Sequence, residues 1–428
     1  LRADVNQHAA RQLAERLLSV PSLRAKAAEV LEYVYETRVE VRDLVRVLDI
    51  RLEAATDNEQ RKDLLRRIAM LRDERLSDDV GAIDALAKLL PMDPVDVQMR
   101  SRLLEIGRRV GAHERVATVL MDAAQAAETS EVRGAILMEV ASIYRDLVGD
   151  VNRAEEVYRK VLEIDANDEN LVLPAARALQ EIYAGLGNHR ALVEMLRTEA
   201  KLEHTQDRRS EIYAKLGEIC ESILEDLPAS IEAWKARLSD NASDESALSA
   251  LERLYEKVGA WRELVEVLRT REQNTTEGNE RKRLMTRTAQ TLMDRLMDVP
   301  EAISAWRAVS DEFGHDRSSL KALQELYGKA ERWSDLAEAL DADLNQVEDS
   351  AERLAILVRL GDVRRVHQSD LPGALDCYRQ ALTLEPSHSA SRAALTELLS
   401  VDSARRDAAQ VLHPLYEADG DHERLLRV

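Results

Sequence analysis

SSLKALQELYGKAERWSDLAEALDADL, residues 318–344, is the stretch that decides the fold. Leu320, Leu323, Leu326 and Tyr327 recur at the 3.6-residue period of one helix face. A short polar break follows, and Trp333, Leu336, Ala337 and Leu340 make a second stripe. The first stripe carries a pattern of aliphatic, two others, aliphatic and then usually Tyr. It returns as Leu31–Val34–Tyr35, Leu103–Ile106–Gly107, Leu179–Ile182–Tyr183, Leu251–Leu254–Tyr255 and Leu323–Leu326–Tyr327. The intervals are 72, 76, 72 and 72 residues. Self-similarity at a fixed period is the signature of a stacked array, in which each unit buries its apolar face against its neighbours.

A second kind of helix pair alternates with the first. AERLAILVRLGDVRRVHQSDLPGALDCYRQALTLEPSH spans 351–388. Leu354, Leu357, Val358 and Gly361 line its first helix, and Ala374, Leu375, Tyr378, Ala381 and Leu382 line its second. Pro372 falls near the second helix's first turn, where its missing N–H costs nothing. Tyr158, Trp234, Trp306 and Tyr378, with Leu86 ahead of them, form an aromatic column at the same intervals of 72, 76, 72 and 72. The interval of 76 places four extra residues between Tyr158 and Leu179, in or near DANDENLVLP.

Composition agrees with an all-helical core. Hydrophobic residues are 45% of the 428, aromatics are 4%, and Phe313 is the single phenylalanine. Leu, Ala, Val and Ile must therefore fill the interior, a set that suits packed helices. The chain has 15 Gly and 9 Pro, too few for the turns of a β-rich fold of this length. The net charge of −20 argues against nucleic acid and against an anionic membrane surface, both of which recruit Lys and Arg. It fits a protein or peptide partner of basic character. No apolar run reaches the roughly 18 residues of a membrane span. The chain opens on an amphipathic stretch, LRADVNQHAARQLAERLL, without an initiator Met. Cys220 and Cys377 stand alone in helical patterns and read as buried small hydrophobes. The compartment stays open, with the cytoplasm favoured.

The run Leu360–Gly361, then Ala374–Leu375, Tyr378, Ala381 and Pro386, resembles the tetratricopeptide repeat. Leu216–Gly217 with Ser230, Trp234 and Arg237 matches in part, as does Tyr144 with Ala154, Tyr158 and Val161. The turn between the two helices is one residue longer than in that family, and the 318–344 type of pair keeps the small-residue positions poorly. The resemblance implies two divergent units of about 36 residues per 72, near the family's ~34. The fold class expected is all-α, a right-handed α–α superhelix of antiparallel pairs, with HEAT-like pairs as the alternative. It divides as one continuous solenoid over 1–428. The units are 1–48 (partial, with a seam helix), 49–121, 122–198 (with the four-residue insertion), 199–270, 271–344, 345–400 (partial) and 401–428 (seam helix and the next start).

A longer period is superposed on the first. SVPSLRAKAAEVLEYVYETRVEVRDLVRV (19–47) aligns with SVDSARRDAAQVLHPLYEADGDHERLLRV (400–428) at an offset of 381. From Tyr327 to Tyr416 is 89 residues, 17 beyond the regular step. One extra helix is therefore expected near 403–417 and near 22–36. The super-repeat leads to the expectation of an excerpt from a longer protein, or of a unit capable of end-to-end self-association.

The residues that invite a chemical reading mostly fall into packing columns. His113, His189 and His422 share the position of Trp261 and Trp333 at the start of a second helix. No HExxH, GxGxxG, GxxxxGK[ST] or GxSxG occurs, and neither Cys has an adjacent His. Asp165, Asn167, Asp168, Glu169 and Asn170 lack the Gly turn and closing Glu of a calcium loop. Glu280–Arg283 and Arg405–Asp407 read as solvated charge runs. No catalytic residue, metal or cofactor is expected. Some tetratricopeptide domains clamp a C-terminal carboxylate with an Asn after the Leu–Gly pair. Here Glu218 and Asp362 hold that place and would repel it. The expected function is a non-enzymatic interaction scaffold. Its partner would lie on the concave face of the first helices, at Glu218, Glu221, Arg287, Asp294, Asp362 and Arg365. The alternatives are a structural spacer or self-assembling array element, and a regulatory solenoid of a larger protein carrying a catalytic or membrane domain.

Overall fold

The computed structural model describes residues 7–165, 168–426 and 428. Two compact units make up the chain, Leu1–Ser230 and Ile231–Val428. Among the described residues every regular element is a helix.

In the first unit α1 (His8–Leu17) precedes five helix pairs. These are α2 (Arg24–Thr37) with α3 (Val41–Ala54), α4 (Asn58–Glu74) with α5 (Asp79–Leu89), and α6 (Val97–Val110) with α7 (His113–Ala126). There follow α8 (Ser130–Ser142) with α9 (Val151–Ile164), and α10 (Glu169–Leu186) with α11 (His189–Leu202). Then comes α12 (Gln206–Ser222), and the division falls within the next helix, α13 (Leu227–Asp240). The second unit holds α14 (Glu245–Val258) with α15 (Trp261–Asn274), and α16 (Gly278–Asp294) with α17 (Val299–Phe313). Next are α18 (Arg317–Lys329) with α19 (Trp333–Leu344), and α20 (Ser350–Val363) with α21 (Leu371–Leu384). It ends with α22 (Ser389–Leu398), α23 (Arg405–Asp419) and α24 (His422–Leu425). One π-turn, Ile143–Val148, extends α8, and another, Arg364–Gln368, extends α20.

Both aromatic columns lie in the core. Tyr35, Tyr183, Tyr255, Tyr327 and Tyr416 are buried, and so are Leu86, Tyr158, Trp234, Trp306 and Tyr378. Gly361 shows why the small-residue position matters: a Cβ built there would lie 2.7 Å from the Tyr378 ring. Cys220 and Cys377 are buried. His113, His189, Trp261, Trp333 and His422 each open a second helix.

Two turn geometries alternate, and each repeats in register. In the α2/α3, α6/α7, α10/α11, α14/α15, α18/α19 and α23/α24 turns, a left-handed residue comes first: Val39, Gly111, Gly187, Gly259, Glu331 and Gly420. The next residue's N–H then closes onto the carbonyl five residues back, at Tyr35, Gly107, Tyr183, Tyr255, Tyr327 and Tyr416. In the other turns the left-handed residue is Ser77, Gly149, Glu225, Met297 or Ser369. Here Asp78, Asp150, Asp226, Asp298 and Asp370 close onto the carbonyl six back, a ring one residue wider. Each of these Asp side chains also accepts the backbone N–H three residues on, at 3.0–3.2 Å. That is the N-cap bond that starts the second helix. Only Gly149 in this column is free of the steric cost of positive φ.

The four extra residues lie within α10. It starts 72 residues after α6 and ends 76 after it, so it is 18 residues long where α6 and α14 have 14. Four residues are close to one helical turn, which keeps Leu179, Ile182 and Tyr183 on the buried face. Residues 166–167 of that linker lie outside the described residues, as do 1–6 of the opening stretch and residue 427.

The longer period is visible in the helices. α1 and α22 are both ten residues long, and α22, α23 and α24 begin 381 residues after α1, α2 and α3. Residues 24–37 and 405–419 form α2 and α23, which carry the recurring Leu–Tyr motif, and a short helix, α1 or α22, stands before each. α22 packs between α21 and α23, where Leu395 and Leu398 share one buried apolar cluster with Leu382, Leu412 and Tyr416.

Candidate functional site

Three first helices of the second pair type, α12, α16 and α20 with its π-turn, carry the six candidate residues. Glu218 and Asp362 are equivalent, and so are Glu221 and Arg365. Arg287 and Asp294 lie one turn before and after the equivalent place on α16, held by Gln290. Glu218 and Asp294 are exposed, and Glu221 is half-buried. The other three are engaged inside the fold. Asp362 accepts the Tyr378 hydroxyl at 2.7 Å. Burial, reinforced by that bond, pushes the Tyr378 hydroxyl's pKa well up. Arg365 reaches Glu397 at 2.5 Å and Asp362 at 3.8 Å. Arg287 bridges Glu252 and Glu256 on α14, the latter at 2.8 Å.

Arg287 reaches, through Glu252, into a largely polar column between the hairpin helices that periodicity alone did not reveal. Glu32, Leu104, Gln180, Glu252 and Gln324 share one position on consecutive first helices of the other pair type. Facing them from the second helices are Arg51, Ala123, Glu199, Arg271 and Asp343. Every facing pair is complementary. Glu32 pairs with Arg51 and Glu252 with Arg271, as ions. Gln180 donates to Glu199 at 2.7 Å and Gln324 to Asp343 at 3.0 Å. Leu104, half-buried, and Ala123, buried, are both apolar. Glu199 is fully buried, and burial alone would raise its pKa. Hydrogen bonds from Gln180 and Arg177 outweigh that and hold it below the usual range. Glu139, by contrast, is raised by burial, which Arg100 at 3.5 Å offsets only in part.

A groove of about 420 Å³ opens between α18 and α20, lined by Arg317, Lys321, Gln324, Glu352, Ile356 and Arg359. Arg317 donates to Glu352 at 2.8 Å and to Asp343 at 3.4 Å. Burial raises the Cys220 and Cys377 thiols, so both stay protonated and weakly nucleophilic. Among the described residues no group of three or more His, Cys, Asp or Glu is placed to hold a metal, and no helix is long and apolar enough to cross a membrane. The Glu280–Arg283 run is not merely solvated. Arg281 reaches Glu272 and Glu312, and Lys282 reaches Asp316 at 2.9 Å.

These features define an α-solenoid of stacked helix pairs. The tetratricopeptide repeat family model matches residues 136–172 and 247–278, and the chain carries tetratricopeptide repeats there. No curated protein matches the sequence. Among solved structures, the chain is similar over 97% of its length to that of Naa15/Naa10 bound to HypK-THB, at 15% identity and a TM-score of 0.31. It spans 61% of that chain. Over 54% of its length it is similar to Pseudomonas aeruginosa pilF, covering 99% of that chain at 15% identity and a TM-score of 0.25. Over 61% it is similar to YrrB, a TPR protein with an unusual peptide-binding site, covering 91% of that chain at 12% identity and a TM-score of 0.22.

Proposed function

We infer that the chain is a non-enzymatic scaffold that offers the exposed faces of its first helices, as a concave surface, to a protein or peptide partner. One observation carries this reading. The cap column of the wide turns holds one chemistry from repeat to repeat, with Asp at all five places. A column one helix away varies at the same intervals, with Met70, Glu218 and Gln290 exposed and Ser142 and Asp362 half-buried. A fixed frame under a varied face is the arrangement by which solenoids build specific surfaces. The exposed carboxylates Glu218 and Asp294 favour a basic segment.

The test is capture of partners by the full chain, followed by binary binding of the purified partner. Glu218→Lys in one unit and Asp294→Lys in the other change exposed positions that no core contact needs. Loss of binding with either substitution supports the reading, and full retention with both sinks the face assignment.

A second reading, a self-assembling array element, is favoured by the 381-residue offset shared by three successive helices. It requires sedimentation to show association that grows with concentration.

A further inference from the structure

One framework position is braced in two repeats and unpaired in a third. Arg67, Glu139, Lys215, Arg287 and Arg359 are equivalent residues of α4, α8, α12, α16 and α20. Arg67 reaches Glu32 at 2.5 Å and Glu36 at 2.6 Å, two carboxylates one turn apart on α2. Arg287 does the same with Glu252 and Glu256 on α14. On α18 the two corresponding places hold Gln324 and Gly328. The Gln324 amide is turned away to Asp343. Gly328 leaves a notch: a Cβ built there would meet only Arg359 Nη2, at 3.9 Å. Among the described residues, Arg359 is left with a single hydrogen bond, 3.4 Å to the Gln324 carbonyl. A guanidinium has five donors in a fork that suits a carboxylate.

The surrounding charges leave this guanidinium uncompensated. Glu352 faces both Arg317 and Lys321, Asp343 is held by Gln324 and Arg317, and Glu325 is held by Lys329 at 2.7 Å. The groove's own charged lining, Arg317, Lys321 and Arg359 against Glu325, Asp343 and Glu352, is balanced, and Lys329 outside it takes Glu325, so Arg359 is the lining cation whose carboxylate is missing.

We propose that the α18/α20 groove binds an acidic peptide. An Asp or Glu side chain of that peptide takes the place on Arg359 that Glu36 and Glu256 fill on Arg67 and Arg287. This rests on the first-helix faces being the partner surface, and it assigns the chemistry at one point of them. The local preference is opposite in sign to that of Glu218 and Asp294.

The probe is a labelled peptide of alternating Glu and Gly, acetylated and amidated so that it has no terminal carboxylate. Its Gln counterpart is the control. Titration into the full chain at low ionic strength is expected to show binding of the Glu peptide alone. Gly328→Glu rebuilds the internal partner and fills the notch without a backbone clash, and it is expected to weaken binding about tenfold. Arg359→Ala should weaken it about three- to tenfold, the range for one exposed charge-assisted pair. Arg283→Ala, an exposed guanidinium already held by Glu280, should change nothing. Equal binding of the two peptides, no binding of the Glu peptide, or unchanged affinity in the Gly328→Glu and Arg359→Ala variants overturns the proposal. If partner capture still depends on Glu218 or Asp294 in that case, the scaffold reading stands and only this site assignment falls.

Discussion

The α14/α15 and α18/α19 hairpins occupy successive places in one unit and solve one packing problem with opposite chemistry. In the first, Glu252 accepts from Arg271 across the hairpin and from Arg287 on the next first helix. In the second, Gln324 donates to Asp343, and Arg317 on the same first helix supplies the cation. The side chains differ, yet each buried carboxylate meets donors. What is held constant is complementarity rather than identity, because an unmatched buried charge costs far more than a matched pair gains. The choice also has an outward consequence. Spending the cation on an internal Glu pair occupies Arg287, whereas supplying the acid from the second helix leaves Arg359 open.

The largest predicted effect comes from breaking one hairpin's complement. Glu252→Leu takes from Arg271, whose side chain is 11% exposed, its partner across the hairpin and leaves it only Glu245 at 2.5 Å and Glu280 at 3.8 Å, and it should cost about 2 kcal/mol in chemical denaturation. Adding Arg271→Ala copies the Leu104/Ala123 solution and should restore most of that loss. A double variant no more stable than the single one would mean that the pairs are not interchangeable. Gly361→Ala comes next. Its methyl would press on the Tyr378 ring and should cost about 1–3 kcal/mol.

The turn columns predict smaller, opposed effects at adjacent residues. Asp298→Ala removes a cap and should destabilise by about 1 kcal/mol. Met297→Gly should stabilise by roughly 0.5–1 kcal/mol, since relief of positive φ exceeds the entropy that Gly adds. Met297 is 76% exposed, so little packing is lost.

The smallest effect is in acid. Glu199 has a folded pKa below its ordinary 4.5, so the stability it contributes is fully present above 4.5 and is lost as pH falls through the lower folded value. Glu139 is shifted upward, so its contribution is present at low pH and is lost as pH rises through the raised value. Stability measured between pH 6 and 3 should fall less steeply in Glu199→Gln than in the parent chain.

The sequence made the array legible because 72-residue periodicity depends only on which positions are apolar. It also contained the Asp78–Asp370 cap column at unbroken intervals, a signal available but outweighed by the aromatic one. The left-handed column was not legible. Positive φ is normally read from Gly or Asn, whereas Ser77, Glu225, Met297 and Ser369 are held there by the ring closed over them. For the candidate site, helical phase gave the direction of each Cβ but not the reach of a long side chain. Arg287 and Arg365 were therefore expected to face solvent, while their guanidinium groups turn onto carboxylates of neighbouring helices.

The most direct measurement is a count of peptide sites after rebuilding one hairpin in the image of the other. Glu252→Gln, Glu256→Gly and Arg271→Asp together give α14/α15 the chemistry of α18/α19 and release Arg287. The Glu–Gly peptide should then titrate two sites where the parent chain shows one, with unchanged helical circular dichroism. A correctly folded triple variant that still binds one peptide would contradict the claim that these framework positions decide whether a first-helix arginine is a brace or a contact.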